Sequence, residues 1–157
     1  PFHPEMFYES FDLPGKKMNN SRGWEIYPKV MYDMGLYLKD NYGNIPWLVS
    51  ENGMGRENEE QYMDEQGQVQ DEYRISFISQ HLAWLLRGVE EGVRCEGYML
   101  WAFTDCVSPM NAFKNRYGLV RIELDDNRTR SLKKSAHWYK KLITERNLPL
   151  EDDSFLG

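Results

Sequence analysis

Cysteine is scarce in this sequence: Cys95 and Cys106 are the only two among 157 residues. Two cysteines form neither a disulfide framework nor a metal-binding motif. The three histidines also lack the spacing that is typical of a metal site. We therefore expect two small buried thiols, a reducing intracellular setting and no bound metal.

Long apolar runs and an excess of positive charge are missing as well. No stretch approaches the ~20 apolar residues that are needed to span a bilayer, and no signal-peptide pattern occurs at the start. The chain has 19 basic and 25 acidic residues, whereas a nucleic-acid-binding surface needs clustered Lys and Arg. We expect a cytoplasmic protein that binds neither membrane nor nucleic acid.

Two apolar strands alternate with three helices along the chain. Helical periodicity runs from Pro28 to about Asn41, from Asp71 to about Glu91, and from Ser131 to about Arg146. Asp71 is the candidate N-cap residue of the second helix. The predicted strands are 47–49 and 95–103, with a hairpin around 118–130 and loops at 1–23 and 54–70. The tail 149–157 is acidic and is expected to be loose.

Both strands are apolar throughout, which is typical of a parallel sheet covered by helices on both faces. An α/β barrel needs eight strands in about 250 residues, so two strands are too few. We therefore interpret residues 1–157 as a single partial domain of a larger α/β fold.

Glu51 follows the first predicted strand directly and precedes Asn52 and Gly53. In α/β barrels the carboxyl ends of the strands carry the catalytic groups. Gly53 permits a sharp exit from the strand, and Asn52 places an amide beside the carboxylate. This pattern predicts a catalytic carboxylate, with an ordinary turn as the alternative.

The end of the second strand is rich in aromatic and hydrogen-bonding side chains. Trp101 is followed by a polar set that comprises Asp105, Ser108, Asn111, Lys114, Asn115, Arg116 and Tyr117. An aromatic platform beside many hydrogen-bonding groups suits a polyhydroxylated ligand. The alternative is a solvated loop.

The segment W-L-V-S-E-N-G at 47–53 resembles the nucleophile signature of glycoside hydrolase family 1, the β-glucosidase and 6-phospho-β-glycosidase family. Other segments also resemble the family and occur in its order. They are G-W-E-I-Y-P at 23–28 before the signature and, after it, Asp71, Arg74-Ile75, His81-Leu82, G-Y-M-L-W-A at 97–102, R-Y-G-L-V at 116–120 and K-K-S-A-H-W-Y at 133–139. The resemblance covers nearly the whole chain. It implies the C-terminal portion of a (β/α)8 TIM barrel, with about the last two strands and their helices.

The resemblance also implies retaining hydrolysis without a cofactor. One carboxylate attacks the anomeric carbon, and a second, about 5–5.5 Å away, protonates the leaving oxygen. Glu51 matches the nucleophile. The acid/base belongs to an Asn-Glu-Pro motif in this family, and that tripeptide does not occur in the chain.

Family members that hydrolyse unphosphorylated glucosides usually read Asp-Asn-Phe-Glu-Trp after the last strand, whereas residues 105–109 here read Asp-Cys-Val-Ser-Pro. A carboxylate would repel a phosphate dianion, but the Ser108 hydroxyl can donate to it. This resembles 6-phosphoglycosidases, in which a Ser, a Lys and a Tyr bind the 6-phosphate.

The other two phosphate ligands match less completely. Tyr117 matches the Tyr; Asn115 stands at the usual Lys position, and Lys114 lies one residue earlier. Pro109 stands where 6-phosphogalactosidases tend to have a Trp, and this favours 6-phosphoglucosides over 6-phosphogalactosides.

The resulting hypothesis is a fragment of a 6-phospho-β-glucosidase with Glu51 as nucleophile. Its substrate ligands are expected to be Trp101, Ser108, Lys114, Asn115 and Tyr117. Two alternatives stay open: an ordinary β-glucosidase, and a catalytically inactive fragment or binding module. The expected partners are a phosphorylated β-glucoside and the missing N-terminal part of the barrel. Without that part, self-association through exposed apolar strand flanks is expected.

Overall fold

We describe the fold from a computed structural model of the chain. It describes residues 14–125 and 127–149, together with the backbone of 2–3 and 8–9. The predicted loose tail lies outside this range from residue 150 onwards, and so does Asp126 in the predicted hairpin turn.

The described elements follow in chain order. They are β1 (Phe2–His3), β2 (Tyr8–Glu9), β3 (Met18–Asn19), β4 (Trp24–Glu25), α1 (Val30–Asn41), β5 (Trp47–Asn52), a 3-10 helix (Glu59–Tyr62), α2 (Glu72–Glu90), β6 (Cys95–Leu100), β7 (Val120–Ile122), β8 (Arg130–Leu132) and α3 (Lys134–Glu145). The predicted order of three helices, two main strands and a hairpin is confirmed.

Strands β5 and β6 form a parallel pair, and α2 is the helix that connects them. A parallel pair requires such a crossover, because the chain must return to the same end of the sheet. Helices α1 and α2 pack against each other beside this pair. Their apolar stripes and β5 form one core, whose buried members are Met31, Val49, Trp84 and Leu85.

The other strand pairs are short and antiparallel: β1 with β2, β3 with β4, and β7 with β8. The β7–β8 pair is the predicted hairpin, with Val120 opposite Leu132 and Ile122 opposite Arg130. Within the described residues, each sheet has two strands, so the parallel sheet is open. None of the described helices is both long and apolar enough to cross a membrane.

Several predicted boundaries were wrong. Strand β5 continues through Glu51 to Asn52, and β6 ends at Leu100 rather than at residue 103. Helix α3 begins at Lys134, because the preceding Arg130–Leu132 pair with β7.

The two strands are not buried along their whole length, in line with the predicted exposure of apolar strand flanks. Leu48 of β5 is 48% exposed and Met99 of β6 is 56% exposed. In an open sheet, side chains that a closed barrel would enclose face solvent instead.

Asp71 occupies the position before the first residue of α2, as predicted, but its side chain does not cap the helix. The carboxylate instead accepts hydrogen bonds from the backbone N–H and the hydroxyl of Ser135, at 2.8 and 2.5 Å. It also accepts one from Arg74 Nε at 2.9 Å. Asp71 therefore joins the start of α2 to α3.

Candidate active site

A cavity of about 500 Å³ opens at the carboxyl ends of β5 and β6. Four of the six predicted site residues line it: Glu51, Trp101, Ser108 and Tyr117. Glu51 comes from the end of β5, and Trp101 directly follows β6. The carboxyl ends of parallel strands meet at one edge of a sheet, so this gathering follows from the topology.

Close backbone contact between the two strand ends sets the position of Glu51. Trp101 N–H donates to the carbonyl of Asn52 at 2.9 Å. The carbonyl of Trp101 approaches Gly53 so closely that an added Cβ would lie 1.7 Å from it. Sterics thus explains the glycine at position 53, because a side chain there would separate the two strand ends.

Asn52 contributes its side chain to the same edge of the sheet. The hydroxyl of Tyr98 on β6 donates to Asn52 Oδ1 at 2.7 Å. Burial raises the pKa of Tyr98 above its ordinary value, so this hydroxyl stays protonated as a donor. The amide group next to Glu51 is therefore held by β6.

The Tyr117 ring is buried against the backbone that follows Glu51. It is 6% exposed, and an added Cβ on Gly55 would lie 2.6 Å from its Cζ. Burial raises the pKa of the Tyr117 phenol. The hydroxyl consequently remains protonated near neutral pH and is available to donate to an anion.

Ser108 lies on a small hairpin at the cavity rim. Ser108 and Ala112 exchange backbone hydrogen bonds of 2.9 and 2.8 Å. The Ser108 Oγ accepts from Met110 N–H at 3.2 Å, which leaves its own proton available for donation. The hydroxyl and the phenol thus present two donors to the same cavity.

Lys114 and Asn115 do not line this cavity. Lys114 is 65% exposed, and its Nζ lies 3.4 Å from Glu57 Oε1. Asn115 is fully buried, and its Nδ2 donates to the same oxygen at 3.4 Å. The structure directs both side chains towards Glu57 rather than towards Ser108.

Arg22 and Trp24 line the cavity although the sequence did not single them out as site residues. The Arg22 guanidinium lies 4.3 Å from the centre of the Trp24 ring, in a cation–π arrangement. The available signal was the G-W-E-I-Y-P segment, which begins directly after Arg22. Their approach to Glu51 depends on tertiary folding, which local patterns do not reveal.

Comparison with known proteins now adds to this geometry. The sequence profile of Glycosyl hydrolase family 1 matches residues 9–148, which is most of the chain. The chain belongs to glycosyl hydrolase family 1. Several curated relatives and solved structures agree with this assignment.

One relative is 6-phospho-beta-glucosidase GmuD of Bacillus subtilis, 51% identical over 142 residues, which are 90% of this chain and 30% of that protein. A 6-phospho-beta-galactosidase of Clostridium acetobutylicum is 36% identical, over 85% of this chain and 29% of that protein. The family 1 β-glucosidase structure from Thermotoga maritima superimposes with a TM-score of 0.79 at 27% identity, covering 91% of this chain and 31% of that one. The chain thus spans about 30% of the length of these relatives.

A buried ion network joins the chain segments that line the cavity. Arg74 of α2 is 1% exposed and pairs with Asp71 and with Glu59, whose Oε1 lies 2.7 Å from Nη2. Arg74 Nη1 donates to the carbonyls of Met54 and Tyr117, at 2.6 and 2.8 Å. One guanidinium therefore holds both the segment after Glu51 and the segment that carries Tyr117.

Lys133 extends the network beneath the second strand end. It is fully buried, and its Nζ lies 2.6 Å from Glu59 Oε2 and 2.8 Å from Asp105 Oδ1. Asp105 also accepts the backbone N–H of Gly118 at 2.9 Å. A buried charge is costly unless it is paired, so these ion pairs favour one arrangement of the loops around the cavity.

Glu51 is the only carboxylate that lines the cavity within the part of the chain that the structure describes. Retaining hydrolysis needs two carboxylates about 5–5.5 Å apart. In the same described part, no group of three or more His, Cys, Asp or Glu side chains is placed to hold a metal ion. The cavity is thus lined by one carboxylate, two Trp residues and two hydroxyl-bearing residues, Ser108 and Tyr117.

Proposed function

We propose that residues 1–157 are the C-terminal segment of a TIM-barrel retaining glycosidase that hydrolyses 6-phospho-β-glucosides. Glu51 is the nucleophile in this proposal and forms the covalent glycosyl-enzyme. Trp101 is the platform for the sugar ring, and Ser108 and Tyr117 bind the 6-phosphate. The second carboxylate comes from a part of the barrel outside these residues.

One observation carries the proposal: Glu51, Trp101, Ser108 and Tyr117 line a single cavity at the carboxyl ends of two parallel strands. A nucleophile must reach the anomeric carbon while the other groups hold the same sugar ring. A shared cavity meets that requirement. The 51% identity to a protein named 6-phospho-beta-glucosidase supports the phosphorylated substrate.

The chemistry of the cavity rim favours a phosphate over a free 6-hydroxyl. Glu51 is the only carboxylate among the described lining residues, and none stands next to Ser108 in the sequence, where it would repel a phosphate dianion. Ser108 and Tyr117 both retain a proton to donate, and hydrogen bonds to an ionised acceptor are about twice as strong as neutral ones.

Lys114 and Asn115 have weaker support as phosphate ligands. Lys114 would have to leave Glu57 and turn towards Ser108, which its 65% exposure permits. Asn115 is fully buried, so in this proposal it shapes the backbone beside Tyr117 and does not touch the sugar.

A substrate comparison tests the proposal. The complete protein, meaning this chain with the rest of its barrel, is assayed on chromogenic 6-phospho-β-glucoside and on the plain β-glucoside. We expect higher kcat/KM on the phosphorylated substrate, and a loss of about 10³-fold or more for Glu51→Gln because the nucleophile is gone.

Glu145→Gln is the matched control, since this exposed residue of α3 lies away from the cavity. It should retain the activity of the unmodified protein. Preference for the plain glucoside would overturn the phosphate assignment and favour an ordinary β-glucosidase. Full activity of Glu51→Gln would overturn the nucleophile assignment.

A further inference from the structure

We infer that Arg22 supplies the positive charge that binds the 6-phosphate of the substrate, at the position where Ser108 and Tyr117 present their hydroxyls. This inference rests on the proposed function and deepens it. It assigns a substrate-binding role to a residue that precedes the nucleophile by 29 positions and comes from the segment before α1.

The position of Arg22 fits this role. Its side chain lines the same cavity as Glu51, Ser108 and Tyr117. The Arg22 Cζ lies 4.3 Å from the centre of the Trp24 ring, and this cation–π contact restrains the guanidinium. A planar guanidinium held in one orientation is suited to bidentate binding of phosphate oxygens.

The hydrogen-bonding capacity of Arg22 is not used up by the protein. Its Nε is buried and has no hydrogen-bond partner among the described residues. A buried donor without a partner is costly, by about 1–3 kcal/mol in typical cases. A phosphate oxygen in the cavity would satisfy such a donor.

Charge balance in the cavity points to the same residue. Arg22 is the only cation among the described residues that line the cavity, whereas Lys114 faces Glu57. Its charge also opposes the rise in the pKa of Tyr117 that burial causes, which places the cation within electrostatic reach of the phenol. A phosphate dianion beside Tyr117 would be attracted by the same Arg22 charge.

The test compares two substrates in Arg22→Gln of the complete protein. We expect KM for the chromogenic 6-phospho-β-glucoside to rise about 10- to 100-fold, the usual value of a hydrogen bond to a charged group. Activity on the plain β-glucoside should stay within about twofold. Arg22→Lys keeps the charge but loses the planar pair of N–H donors. Its KM for the 6-phospho-β-glucoside should lie between those of the unmodified protein and of Arg22→Gln.

Arg130→Gln is the matched control, because Arg130 is exposed on β8 and lies outside the cavity. Calorimetric titration with glucose 6-phosphate provides a readout that is independent of turnover, and Arg22→Gln should weaken this binding by a similar factor. Equal losses on both substrates, or no loss on either, would overturn the role of Arg22. Preference of the unmodified protein for plain glucoside would instead reject the proposed function, so the two failures are distinguishable.

Discussion

His81 lies inside helix α2 with only 3% of its surface exposed, beside the ring of Phe77. Burial lowers its pKa to about 4, although the hydrogen bond between Nδ1 and the carbonyl of Phe77 opposes this shift. The imidazole is therefore neutral in the folded protein. In the unfolded chain it takes up a proton near pH 6.5.

This difference predicts a loss of stability in mild acid. Because the unfolded chain binds more protons between pH 6.5 and pH 4, the free energy of unfolding should fall by about 2 kcal/mol from pH 7 to pH 5. Urea denaturation at the two pH values measures the effect. His81→Gln should remove this contribution, whereas His137→Gln, an exposed residue of α3, should keep it. An unchanged pH dependence in His81→Gln would contradict the prediction.

The sequence was informative about single residues wherever the chemistry is local. Glu51 and Trp101 sit at strand ends, and Ser108 follows at a fixed distance, so their meeting in one cavity could be predicted. The presence of Arg22 in the cavity could not be predicted, because no local sequence pattern marks a binding cation in a loop and the residues around it are distant in sequence. The directions of Lys114 and Asn115 depend on Glu57, which local patterns do not include.

At the scale of elements, the connection between β5 and β6 controls the geometry of the cavity. Their carboxyl ends touch through Gly53 and the carbonyl of Trp101. Helix α2 and the presence of the two strands were predicted correctly because each has a strong apolar pattern, although the ends of the strands were not. The side-chain role of Asp71 was predicted wrongly because its partner, Ser135, lies 64 residues away.

Gly53→Ala should therefore destabilise the protein by about 3 kcal/mol or more, because the new methyl group would overlap a backbone carbonyl that cannot move independently. Urea denaturation gives the free energy of unfolding. Gly88→Ala is the control: its added Cβ would make ordinary contacts of 3.6 Å or longer inside α2. Equal stability of the two variants would contradict the steric role of Gly53.

At the scale of the whole molecule, the open parallel sheet exposes apolar side chains such as Leu48 and Met99. Beyond β6, Phe103 and Val107 are also exposed, at 73% and 61%. Extended apolar surface of this kind is usually covered by another part of a protein. The sequence predicted this exposure from the number of strands alone, since two strands cannot close a barrel.

We accordingly expect the isolated 157 residues to self-associate and to lack glycosidase activity. Light scattering over a concentration series would measure association, because apolar faces pair more as concentration rises. Activity of the isolated chain is compared with that of its Glu51→Gln variant. A monomer at all concentrations, or turnover above the variant, would contradict this expectation.

The position of Arg74 affects how substitutions in this chain could alter its substrate preference. Its guanidinium is bonded to the carbonyls of Met54 and Tyr117, while the Ser108–Ala112 hairpin is held by its own backbone pair. Under the proposed function, substitutions in that hairpin would change the contact with the sugar phosphate without moving the backbone beside Glu51. A change that tilts α2 would shift attack and recognition together. Under the proposed function, Glu51 and Tyr117 are therefore coupled through Arg74, whereas Ser108 can change separately.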